Sequence, residues 1–132
     1  MQTKNKIILI FFFTINFFLT SINLYADEFN IVAKEISIDK KKNILTGVGS
    51  VIVTDMDGNI TKANKVIYDK SKEFLTAIGS VVVIDVDGNI LTSEKITYNK
   101  LNEVMNTFKS TKVNLQNKYT LITTNIKYTG IK

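Results

Sequence analysis

From residue 36 onward, apolar and polar residues alternate in runs that return every thirty residues. Val66 to Lys95, VIYDKSKEFLTAIGSVVVIDVDGNILTSEK, aligns without a gap on Ile36 to Lys65 and matches it at 15 of 30 positions. A more degraded copy follows from Ile96 to Asn125, and Ile126 begins a fourth. A fixed period of this size marks stacked units, each leaving an apolar face for the next to cover. Within a unit the pattern predicts two strands: Glu73 to Ile84, then a DVDGN turn, then Ile90 to Tyr98. β-Branched runs such as SVIVTD and SVVVID, punctuated by Asp-Gly and free of Pro, argue for strand and against helix. The expected chain is all-β.

Residues two apart on a strand share a face. The inward set of the first strand is therefore Leu45, Gly47, Gly49, Val51 and Val53, repeated as Leu75, Ala77, Gly79, Val81 and Val83 and later as Met105, Val113 and Leu115. Thr46, Ser50, Thr54, Thr76 and Ser80 fall on the other face. On the returning strand the same reading points Ile60, Val66 and Tyr68 inward, with Ile90, Ile96 and Tyr98, then Ile122, Ile126 and Tyr128 at the same phase. Lys62, Asn64, Thr92 and Glu94 break that alternation, which a bulge in the returning strand would explain. The small residues Gly47, Gly49, Ala77 and Gly79 have two readings: a backbone bend, or room for a ligand inside the fold.

Met1 to Ala26 is different in kind. Lys4 and Lys6 precede the apolar run IILIFFFTINFFL, and a small residue, Ala26, stands before Asp27 and Glu28. This fits a signal peptide at residues 1–26 with the domain at 27–132; an uncleaved membrane anchor is the other reading, weakened by the polar residues at Thr14, Asn16 and Thr20. Export without cysteine suits a bacterial periplasm.

Composition removes several chemistries. The 132 residues contain no Cys and no His, so thiolate and imidazole catalysis and the commonest metal ligands are excluded. The net charge of +5 comes from lysines spread through the sequence, which is weak support for a nucleic-acid partner. Asp55 to Asn59 and Asp85 to Asn89 fail as calcium loops, because Gly comes fourth rather than sixth and Val66 and Ile96 stand where the bidentate Glu would be. They read as hairpin turns. No nucleotide or serine-nucleophile motif occurs, so no catalysis and no cofactor are expected. The recurring Tyr68, Tyr98 and Tyr128 read as core, with a base-stacking platform as the other possibility.

Tyr68-Asp69, a polar link, Leu75 to Val81, Asp87-Gly88 and a second strand ending Ile96-Thr97-Tyr98 form a pattern. It resembles the OstA-like domain of lipopolysaccharide-transport proteins. Ser50 and Ser80 depart from the Asn that follows Gly in that family, and Lys109 stands where Gly49 and Gly79 are, which puts the packing of the third unit in question. The resemblance implies an open, twisted β-jelly roll with an apolar trough that takes the lipid A acyl chains of lipopolysaccharide. It implies a periplasmic location with possible outer-membrane association, assembly end to end with other OstA-like domains through open sheet edges, and inner- and outer-membrane transport components as further partners. On this reading the lipid-contacting side chains are Leu45, Val51, Val53, Ile60, Val66 and Leu75, together with Val81, Val83, Ile90, Ile96, Val113 and Leu115. Strands of ~9 to 11 residues would each reach about 30 to 35 Å, long enough to lie along an acyl chain. A trough of this kind conducts lipid without driving it, since burying a chain gains ~0.8 kcal/mol per CH₂ in protein and in bilayer alike. A stand-alone bridge subunit, the N-terminal domain of an assembly protein and a fragment are all compatible with the sequence. The contrasting reading is a structural or adhesive repeat protein with a closed core and no lipid.

Overall fold

The computed structural model describes residues 29–130, so the N-terminal segment read as a signal peptide lies outside the described residues. Ten antiparallel strands form one continuous sheet: β1 (Phe29–Val32), β2 (Glu35–Asp39), β3 (Ile44–Asp55), β4 (Ile60–Asp69), β5 (Phe74–Ile84), β6 (Ile90–Asn99), β7 (Val104–Phe108), β8 (Thr111–Leu115), β9 (Tyr119–Thr123) and β10 (Lys127–Thr129). The first two repeats contribute the long pairs β3/β4 and β5/β6, as the pattern predicts.

Each long strand is bent in the middle. Pairing of β3 with β4 jumps from Val48↔Lys65 to Val51↔Ala63, and pairing of β5 with β6 from Ile78↔Lys95 to Val81↔Ser93, so β3 and β5 each carry one extra residue. The extra residue falls at Gly49-Ser50 and Gly79-Ser80, where both residues of each pair have positive φ (82° and 46°, 83° and 47°). A left-handed Gly beginning a two-against-one mismatch bends a strand sharply. The bulge expected in the returning strand thus lies in its partner. Lys62, Asn64, Thr92 and Glu94 break alternation because their strand has one residue fewer, so its inward set changes parity on crossing the bend.

The bends fold the sheet into two facing layers. The first contains β2, the leading arms of β3 and β5, the trailing arms of β4 and β6, and β7 and β10. The second contains β1, the other arms, β8 and β9. An arm of about five residues spans roughly 16 Å, so a single strand does not run the 30 to 35 Å expected of it; the long dimension is the stacking direction. This is an open β-jelly roll whose outermost strands, β1 and β2 at one end and β9 and β10 at the other, each have one partner among the described residues.

The third repeat follows the same plan with broken strands. Lys109 holds the left-handed conformation at φ 66°, and the bend there separates β7 from β8. Positions 34, 64 and 94 stand opposite positions 49, 79 and 109: the Lys34 and Asn64 side chains lie over the two glycines, whereas Glu94 Oε2 meets Lys109 Nζ at 2.9 Å. Behind this corner a hydroxyl cluster takes the place of apolar packing. Thr111 Oγ1 donates to Thr107 Oγ1 (2.8 Å), which accepts the Ile126 N–H at 2.7 Å, and Ser93 Oγ reaches the Phe108 carbonyl oxygen at 3.1 Å. These buried hydroxyls are satisfied, which is what makes their burial tolerable.

Hydrogen bonds at a constant separation join the turns of successive units. The Asp55 and Asp85 carboxylates close their own turns, each accepting N–H groups two and four residues on. Asn59 Oδ1 then accepts from Val86 N and Asn89 Oδ1 from Gln116 N, both across 27 residues. At the opposite end of the strands, Lys70 N donates to the Asn43 carbonyl, Lys100 N to Glu73 and Gly130 N to Glu103.

Candidate functional site

The strand register arranges the inward side chains in three rows. The floor, next to the bends, comprises Gly47, Val66, Ala77, Ile96 and Thr107 in the first layer, facing Val51, Ala63, Val81 and Ser93 in the second. These residues are fully packed: Val66 is 0% exposed, Val51 and Val81 1% each. One step further from the bend, the first wall runs Leu45, Tyr68, Leu75, Tyr98, Met105, Tyr128. The second wall runs Ile31, Val53, Thr61, Val83, Leu91, Val113, Leu121.

The walls meet at one end and part towards the other. Phe29 stands edge-on to Tyr68 with ring centroids 5.0 Å apart, closing the gap beside β1. From Val53 and Leu75 onward a cavity of about 580 Å³ opens between the layers and continues to Leu121 and Tyr128. That volume is in the range of ligand-binding cavities. Apart from Thr61 its lining is aliphatic and aromatic except at the lip of the second layer, where Asp55, Asp57, Asp85 and Asp87 stand with Asn59 and Asn89. Burial raises the Tyr98 phenol above its ordinary pKa, and the Glu103, Asp55 and Asp57 carboxylates push it the same way. Tyr98 therefore stays protonated and keeps its hydroxyl as a donor in the first wall.

The residues expected to contact lipid divide into three groups. Val53, Leu75, Val83, Ile96, Val113 and Leu115 line the cavity, and Ile90 lies at its lip. Val51, Val66 and Val81 belong to the packed floor, and Leu45 lies in the wall at the closed end. Ile60 and Ile90 are the departures: in one row with Thr54, Ile84 and Asn114 they share the outer face with Ile52, because the inward sets before the bends are Thr61 and Ala63 and then Leu91 and Ser93, and Ile90 meets the cavity only at its lip. Ile122 likewise pairs with Lys112, is 73% exposed and leaves the inward place to Leu121. Thr61, Leu91 and Leu121 are wall residues that alternation alone misses. The signal for them was the parity break at Lys62 to Asn64, once its extra residue is assigned to the opposite strand.

No protein-family model matches the chain, and none of the curated proteins matches it in sequence. Among solved structures, the fold resembles LptH. That protein is described as the LptA-homologous periplasmic component of the conserved lipopolysaccharide transport device from Pseudomonas aeruginosa; the superposition has a TM-score of 0.67 at 20% identity and covers 76% of this chain and 74% of that one. At this identity the likeness is one of fold: an LptA-like open β-jelly roll.

Proposed function

We propose that the protein is a periplasmic, non-enzymatic lipopolysaccharide-binding module that holds lipid A acyl chains between its two layers as part of a transport bridge to the outer membrane. The observation that carries this reading is the parting of the two walls. A repeat protein with only a structural role would close its layers at native packing density along their whole length, whereas here the floor is packed and the walls above it stay open and apolar. Similarity of fold to a periplasmic transport component supports the same reading. On this proposal the free outer strands at each end pair with other OstA-like domains or with the inner- and outer-membrane components of the route, since an unpaired strand is a template for another. Transport direction is supplied by those components.

Site-specific photocrosslinking in the periplasm tests the proposal. Reactive side chains at Val83, Leu91 and Leu115 are expected to yield lipopolysaccharide adducts, and the same groups at Ser50 and Ser80, outside the bend, none. Adducts at neither set in a folded exported protein would favour the closed structural repeat.

The acidic lip makes a second expectation specific. Asp57 and Asp87 stand beside the cavity without the turn-closing role of Asp55 and Asp85. They disfavour an anionic head group at this lip, so the Asp57→Asn, Asp87→Asn double variant should bind lipopolysaccharide several-fold more tightly at low ionic strength. The difference should vanish at about 1 M salt, where screening acts within ~3 Å. Equilibrium binding at the two salt concentrations measures it.

A further inference from the structure

The lysines that look scattered in sequence are gathered by the fold. On the outer side of the bend, opposite the trough, the register places Val48, Lys65, Ile78, Lys95 and Phe108 in one row across the first layer. On the second layer the matching row is Ile52, Lys62, Val82, Thr92 and Lys112. Lys34 and Lys109 lie on the crest between the rows. This ridge carries six lysines against two carboxylates, Glu35 and Glu94, while the remaining described residues balance at eight lysines against eight carboxylates. The net positive charge of the described residues is therefore all on the ridge. Among the described residues, only Lys109 of these six makes an ion pair, with Glu94; Lys95 lies 5.1 Å from the centre of the Phe108 ring.

We propose that this ridge is a docking surface for an anionic lipid bilayer. Single exposed apolar residues are ordinary, but here Val48, Ile52, Ile78 and Phe108 are 37–43% exposed and sit in the same rows as the lysines. Four strand-to-strand steps of about 4.8 Å make the first row roughly 19 Å long. Such a surface matches a bilayer interface in both respects: lysines meet anionic head groups, and short apolar side chains between them enter the head-group boundary. A soluble polyanion would use the charge and gain nothing from the valines and isoleucines. The chain has no arginine for bidentate phosphate recognition, and Phe108 is the one aromatic residue in the two rows. Bound in this way, the protein would lie with its trough facing away from the membrane surface.

The test is co-sedimentation with vesicles of phosphatidylglycerol and phosphatidylcholine in equal proportion, beside vesicles of phosphatidylcholine alone. It is run on the whole chain and on the chain without residues 1–26, whose described part carries its own core. The shorter chain is expected to bind the anionic vesicles selectively and to be released by salt. The Lys62→Glu, Lys65→Glu, Lys95→Glu variant, altered only at exposed positions, should lose about 100-fold in partition. A Val48→Ser, Ile78→Ser variant should lose several-fold while keeping the salt dependence. Lys→Gln replacements at the same three sites provide a second variant with smaller structural demand. Equal binding to neutral vesicles, undiminished binding by the lysine variants, absence of binding by the parent, or preference for duplex DNA over the anionic vesicles would each overturn the proposal.

Discussion

Val81→Arg is expected to abolish folding, while Val83→Glu, two residues along the same strand and on the same face, leaves a folded protein that no longer binds lipid. Val81 is 1% exposed in the packed floor, whose residues include no carboxylate to pair with a guanidinium. An uncompensated buried charge costs several kcal/mol, comparable to a total stability of about 5 to 15 kcal/mol for a domain. Val83 is half-buried and lines the cavity, so a glutamate there can remain hydrated at its mouth. It would place a charge where the proposal puts an acyl chain. Circular dichroism and lipopolysaccharide binding, measured on both variants, separate the two effects. A folded Val83→Glu protein with undiminished lipid affinity would count against the trough as the binding site.

Gly79→Ala should cost about 2 kcal/mol or more, and most of the excess over a simple conformational penalty should come from one neighbour. At φ +83° a side chain is strained in any surroundings, and a Cβ here would also lie 2.7 Å from Asn64 Nδ2 and 3.1 Å from Asn64 Cβ. Gly88 provides the control: its φ is +82°, yet a Cβ there meets nothing within 4 Å. Gly88→Ala should lose only about 1 kcal/mol, the ordinary cost of a left-handed L-residue. Urea denaturation of the two single variants, and of Gly79→Ala combined with Asn64→Ala, resolves the parts. Asn64→Ala removes the 2.7 Å contact with Nδ2 and keeps the 3.1 Å contact with Cβ, so the loss from Gly79→Ala measured in the Asn64→Ala background should fall part of the way towards that of Gly88→Ala. Equal losses at Gly79 and Gly88 would show that the contact over the bend carries no energy. The third repeat solves the same steric problem differently, with Lys109 in the glycine position and Glu94 reaching its ammonium instead of covering its backbone.

The strands, turns and faces of the first strand in each repeat were legible because β-branched runs and Asp-Gly-Asn turns are local signals. The inward row Leu75, Ala77, Val81, Val83 follows from alternation, because the extra residue at Gly79-Ser80 leaves the parity of its own strand intact. On the returning strand the same bulge moves the inward set from Ile60 to Thr61 and from Ile90 to Leu91, and alternation read continuously through Lys62 and Asn64 cannot show this. The separation of floor from walls was not legible either: Val81 and Val83 have the same chemistry and phase, and differ only in distance from a bend that depends on pairing with β4 and β6. Charge was misleading in the same way. Lys62 and Lys65 are far along the chain from Lys95 and Lys112, and the register gathers all four into two rows on one side of the fold.

The 27-residue hydrogen bonds between turns have a consequence for how this protein can change size. Each joins equivalent places in neighbouring units, so excising residues 66–95 would bring Asn59 against Gln116 N just as Asn89 now stands, and inserting a copy would add one more such joint. Length is thus quantised. Every unit adds two strands, about 10 Å of length at ~4.8 Å per strand. A gene that gains or loses one repeat in frame changes the length of the folded sheet by one whole unit.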